Sequence, residues 1–232
     1  MTDSSVAAPR AAFGNGTAIR VWDLPTRLFH WALAIAVIGL NSIMEWHSRQ
    51  GCAVLALLLF RLVWGFVGGR WLRFAAFVYG PGSMVAYLRG KAHPDHLIGH
   101  NPLGALSVFA VLAILALQVA TGLTADDEIS ASGPLTRFVS SETVSLATSW
   151  HKARGKWIVI ALVSLHVLAV LFYAFVKRHR LVRPMVTGDK LIAAGTGGNV
   201  ASSRNDAASR VLALVVFALC AGAAYWISSL RI

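Results

Sequence analysis

Four of the chain's eight histidines, His30, His47, His151 and His166, lie in or at the ends of strongly apolar runs. A neutral imidazole in such surroundings either binds a metal through one ring nitrogen or passes a proton. Ionisable groups at membrane depth are costly and stand there for function, unless they only hydrogen-bond between helices. The stretch SWHKARGKWIVIALVSLH, residues 149–166, places two of the four fifteen residues apart on one segment.

The elements that must position them are membrane helices. The chain is 56% hydrophobic and 13% charged, with a mean hydropathy of +0.64, far from the balance of a soluble domain. A hydrocarbon core of about 30 Å needs roughly 20 apolar residues per helix, and five segments qualify: residues 29–46, 51–68, 102–123, 149–176 and 211–230. Residues 1–20, MTDSSVAAPRAAFGNGTAIR, have no apolar core of the signal-peptide kind and are expected to form a flexible cytoplasmic tail. Residues 191–210 read as a polar linker and 211–232 as an additional membrane helix.

Charge fixes the expected orientation. With the N-terminus inside, fourteen Lys and Arg fall on the inner side and six on the outer, leaving Arg61 within a helix. The net charge of +11 is therefore mainly a topology signal, and no nucleic-acid partner is needed to explain it. Depth along the helices then sorts the histidines: His47 and His151 at the outer level, His30 and His166 at the inner.

Two opposed neutral imidazoles are what a haem iron needs for six-coordinate ligation, and helix bundles build cofactor sites from such inward side chains. Zinc instead gathers four ligands in one place. A closed iron suits electron transfer, so no catalytic residue is nominated. Arg61, fourteen residues after His47 and within about 40° of the same helix face, is placed to neutralise a propionate of the inner haem. With two cysteines and no CxxCH motif, covalent haem is excluded, which leaves two haems b per chain. GxGxxG, Walker, HExxH and nucleophile-elbow motifs do not occur.

The motifs VWDLPTRLFHW, WHSRQGCAVLALLLFRLVWGFVGGRWLRF, GHNPLG, SWH with LVSLH, and RPMVTGDK, spread over residues 21–190, resemble those of the bacterial di-haem membrane cytochrome b561 family, which includes the b-type subunits of nickel–iron hydrogenases. The resemblance implies an all-α protein of the bacterial inner membrane. Its four-helix transmembrane core would hold two haems b on His30, His47, His151 and His166, with the fifth helix and the linker outside the match. It also implies electron transfer between the quinone pool and a periplasmic cytochrome or other redox subunit. Two alternatives stand beside that function: superoxide oxidation at the outer haem, and a haem-bearing anchor for a hydrogenase or dehydrogenase. His100, in GHNPLG, is placed to exchange protons with a quinone.

One departure from the family matters. Its fourth-helix histidines usually stand fourteen residues apart, and here they stand fifteen apart. A local widening of the helix near Gly155, or a tilt of the bundle, must absorb the difference. Lys152, Arg154 and Lys156 flank the outer site, to hold propionates, to draw in an anion, or simply as a solvated helix extension. His93, His96 and His179 read as surface residues.

Overall fold

The computed structural model describes residues 17–39, 44–91, 93, 96, 98–129, 132–192 and 200–230. Helices dominate: α1 (Leu24–Gly39), α2 (Met44–Val67), α3 (Pro81–Leu88), α4 (Pro102–Thr124), α5 (Ser141–Ser149), α6 (Lys156–Phe175), α7 (Val182–Thr187) and α8 (Ala207–Ser228). A π-helical turn, Trp150–Gly155, joins α5 to α6. Strands β1 (Thr17–Arg20) and β2 (Asp189–Ile192) pair antiparallel, with Arg20 opposite Asp189.

Four helical stretches are long and apolar enough to cross a membrane: Trp46–Val67, Pro102–Thr124, Ser141–Phe175 and Ala207–Ser228. Large apolar side chains point outward from them, among them Leu165, Leu168, Phe172 and Phe175 on α6 and Leu214 and Leu219 on α8. Such surface is stable against lipid and costly against water. The first expected segment differs. It forms α1, apolar but only 16 residues long, about 24 Å at 1.5 Å per residue, and Trp46 and His47 belong to the first turns of α2 instead. Only Asn41 and Ser42 interrupt the apolar residues there, too short a break for a window of about 20 residues to register. The fourth segment also begins earlier than residue 149, at Ser141, where the Ser140 hydroxyl caps the helix by accepting from the Thr143 amide.

Capping chemistry ties the helix ends together. Asp23 Oδ1 accepts from the Thr26 amide at 2.9 Å, capping α1, while Oδ2 accepts from Trp64 Nε1 at 3.0 Å, fastening the start of α1 to the end of α2. Asn101 caps α4 by accepting from the Gly104 amide at 2.7 Å, with Pro102 opening the helix. Helix α2 is the hub. Its Val54, Leu57, Phe60 and Trp64 form a buried cluster with Phe29 and Leu33 of α1, Leu115 of α4, and Ala213 and Cys220 of α8. Cys52 near the start of α2 meets Ser228 near the end of α8, so the two run antiparallel. The small buried Ala213, Cys220 and Ala224 let their backbones approach.

One end of the bundle, the strand end, is closed by β1, β2 and α7. Gly188 has a φ of 91°, and its carbonyl accepts from the Val21 and Trp22 amides at 3.0 and 3.1 Å. A Cβ there would lie 2.6 Å from the Trp22 carbonyl oxygen, so this turn requires glycine. Thr17–Arg20, expected within a flexible tail, is thus a paired strand. Residues 200–205, expected within a linker, dock on the same end: the Ser203 amide donates to the Arg20 carbonyl and its hydroxyl to that of Val21. Asn205 Oδ1 also accepts from the Leu24 amide. Residues 1–16 and 193–199 lie outside the described residues.

Candidate functional site

The structure brings the four histidines together as two pairs. At the strand end, His30 of α1 faces His166 of α6 with ring centroids 6.4 Å apart. At the far end, His47 of α2 faces His151 of the π turn at 5.8 Å. These are the partners expected from depth along the helices. An imidazole nitrogen binds a first-row metal at about 2 Å and the ring centre lies about 1 Å beyond, so two rings sharing one ion stand ~6 Å apart, centre to centre. Both pairs have that separation.

The helices around the pairs leave them access to one another. The extensive helix contacts are α2 with α8, α1 with α2, α4 with α6, and α2 with α4. Helix pairs carrying the facing rings, α1 with α6 and α2 with the π turn, are not among these. No group of three or more His, Cys, Asp or Glu among the described residues could hold a metal ion by itself. The pairs therefore fit a metal that arrives with its remaining ligands, as the iron of a haem does.

The ring chemistry agrees with that fit. His151 Nδ1 lies 2.9 Å from the Gln118 carbonyl oxygen and 3.4 Å from the Thr121 hydroxyl. A carbonyl only accepts, so Nδ1 carries the proton and Nε2 keeps the lone pair a metal needs. His30 Nδ1 is buried without a hydrogen-bond partner, and such a group calls for an explanation of its own. Gly122 makes room for His151: a Cβ there would approach its Cε1 to 2.8 Å. Gln118, Thr121 and Gly122 were not marked by sequence reasoning. Their roles come from which face of α4 meets the π turn, and one sequence carries no signal of that.

Arg61 is buried in α2, and both of its terminal nitrogens donate to the Leu72 carbonyl at 3.2 Å. Its guanidinium also lies 4.8 Å from the Phe74 ring centre, so it has protein partners of its own. His100 packs edge-on against Trp22 at 4.6 Å and at a tilt against Phe77 at 4.5 Å. Burial, then the neighbouring charges of Arg61 and Lys190, hold its imidazole down to about 3. Its Nδ1 is buried without a hydrogen-bond partner. Lys190 donates to the Ile98 carbonyl at 3.1 Å, two residues before His100. Lys152, Arg154 and Lys156 are all exposed at the far end, and they lie inside the continuous helix Ser141–Phe175 rather than at its tip.

A model of the family described as prokaryotic cytochrome b561 matches residues 21–188. Similar curated proteins carry the name probable Ni/Fe-hydrogenase B-type cytochrome subunit. The Azotobacter chroococcum protein is 28% identical, over 74% of this chain and 88% of its own length. That of Cupriavidus necator is 23% identical, over 76% and 90%, and that of Rhodobacter capsulatus 21%, over 75% and 82%. No solved structure matches.

Proposed function

Because the chain belongs to the prokaryotic cytochrome b561 family, we propose that it carries electrons across the membrane between two b haems, one held by His30 and His166 and the other by His47 and His151. The haem membrane electron-transfer role follows from the family and from the b-type cytochrome names of its relatives. The observation that carries the finer reading is the pair of facing imidazoles at each end of the bundle, 6.4 and 5.8 Å apart. When bound, each haem supplies a one-electron iron couple. The protein's part would be to hold each haem between two histidines, to keep the two groups at fixed depths, and to wrap them in apolar side chains.

The strand end faces the cytoplasm in this reading, as the excess of Lys and Arg there supports, and α1 crosses as a fifth span by thinning the lipid around it. Quinone reacts at the strand end. An apolar hollow lined by Phe77, Tyr79, Met84 and Phe109 lies against His100, whose carbonyl accepts from the Tyr79 hydroxyl at 2.8 Å. Arg61 steadies a propionate of the nearer haem. The other reactant meets the far end, and the relatives' names support a hydrogenase-type redox subunit.

A reduced-minus-oxidised spectrum with and without carbon monoxide, joined to pyridine haemochrome analysis, tests the reading. Two haems b per chain and a reduced spectrum indifferent to carbon monoxide are expected. A strong carbon monoxide shift would mean an open iron and a catalytic site. Superoxide oxidation is the second reading, favoured by the exposed Lys152, Arg154 and Lys156 beside His151.

A further inference from the structure

His151 and His166 stand on one continuous helix, Ser141–Phe175, and each faces a ring from elsewhere in the bundle. At about 100° per residue, fifteen residues of unbroken α-helix would carry the second side chain about 60° past the first, whereas fourteen leave it about 40° short. A π turn admits one residue without advancing the helix face. We propose that the turn Trp150–Gly155 is the positioning element of the far-end site: it takes up the surplus residue between the two histidines, and Gln118 and Gly155 keep it open.

Three contacts support this. Widening a helix weakens its hydrogen-bond ladder, and a side chain from α4 enters at that place: Gln118 Nε2 donates to the His151 carbonyl at 3.0 Å. The backbone carbonyl of the same Gln118 accepts from His151 Nδ1, so one residue of α4 holds both the main chain and the ring of His151. Gly155 gives it entry. A Cβ on Gly155 would lie 1.8 Å from Gln118 Oε1 and 3.0 Å from Trp150 Nε1, so any larger residue must push Gln118 away. Gln118 and Gly155 are positioning residues and act through His151. The inference rests on the reading of His151 as an axial ligand.

The test uses the full chain in detergent, with haem per chain and the low-spin electron paramagnetic resonance signals as readouts. Deleting Ala153, an exposed residue of the turn, is expected to close the turn into α-helix at fourteen-residue spacing and to retain two haems. Inserting one alanine after Ala161 is expected to cut them to one. Gln118→Ala should shift the far-end signal with both haems kept. Gly155→Ala should shift that signal or lose that haem, yet have a much smaller effect in the Gln118→Ala background, where the 1.8 Å clash is gone and only the 3.0 Å approach to Trp150 Nε1 is left. Loss of haem on deleting Ala153, or an equal effect of Gly155→Ala in both backgrounds, would overturn the inference. His47→Ala separates the two claims: two haems retained there would sink the ligand reading itself, whereas one haem retained alongside a failed deletion would sink only the role of the turn.

Discussion

The Nδ1 of His151 sits 2.9 Å from the Gln118 carbonyl, and Gly122, one turn further along α4, lies against the Cε1 and Nδ1 edge of the same ring. The ring is thus held by a hydrogen bond and confined by a residue without a side chain. Gly122→Ala brings a methyl group to 2.8 Å from His151 Cε1, closer than carbon atoms tolerate, so the ring must swing. Haem content should fall from two toward one per chain, with the strand-end haem spectrum unchanged. Two full haems with an unaltered far-end signal would show that the ring has freedom this geometry denies.

Replacing either member of a facing pair by alanine should remove one haem and leave the other, since a single remaining imidazole cannot close both axial positions. His30 and His166 variants should lose the same redox component in a potentiometric titration, and His47 and His151 variants the other one. If the His47 and His166 variants lose the same component, the two-level arrangement fails.

His100 is half-buried beside Phe77. His100→Gln, which keeps a hydrogen-bonding group but not the ring, should slow haem reduction by a soluble quinol about tenfold or more while leaving two haems in place. That loss corresponds to roughly 1.4 kcal/mol or more of interaction with the quinone. Unchanged quinol kinetics would move the quinone site elsewhere.

The strand-end closure should be readable as stability. Gly188→Ala forces a side chain into a left-handed conformation, which costs about 1–2 kcal/mol before the clash with the Trp22 carbonyl is counted, so helical melting in detergent should fall by several degrees. The neighbouring Asp189 carboxyl is held below the ordinary carboxylate range by its hydrogen bonds to Arg20. A depressed carboxylate adds stability above its unfolded value and loses it as the pH falls, so the melting temperature should drop on acidification below about 4 and less so in Asp189→Asn. Both partners are about a third exposed, and solvent screening keeps the effect under about 1 kcal/mol.

How much of this was legible in the sequence follows from which signals are local. The helices, the depth of each histidine and the two pairs derive from apolar period and spacing, because lipid forces both. The break between α1 and α2 was misplaced because only Asn41 and Ser42 mark it, and a window of about 20 residues averages them away. The strand pair and the docking of Ser203 join residues far apart in the chain, so no window along the sequence holds them. The spacing of His151 and His166 left a choice between a widened helix near Gly155 and a tilted bundle, and the helix is widened at Trp150–Gly155. What fills and holds that widening comes from Gln118 of α4, and only the packed bundle brings the two together.

The last expectation concerns the exposed far end. Lys152, Arg154 and Lys156 stand in solvent-accessible positions close to His151, on the side where positive charge is otherwise sparse, so they should steer an anionic electron partner toward the far-end haem. Screening shortens the reach of such charges to about 10 Å at 0.1 M salt, so the bimolecular rate with the partner should fall as salt rises. Replacing all three by glutamine should lower that rate at low salt and flatten its salt dependence, with haem content still near two. Loss of haem in the triple variant would mean that these side chains hold propionates. An unchanged rate with intact haem would make them a solvated helix surface, and the partner would then have to dock by other contacts.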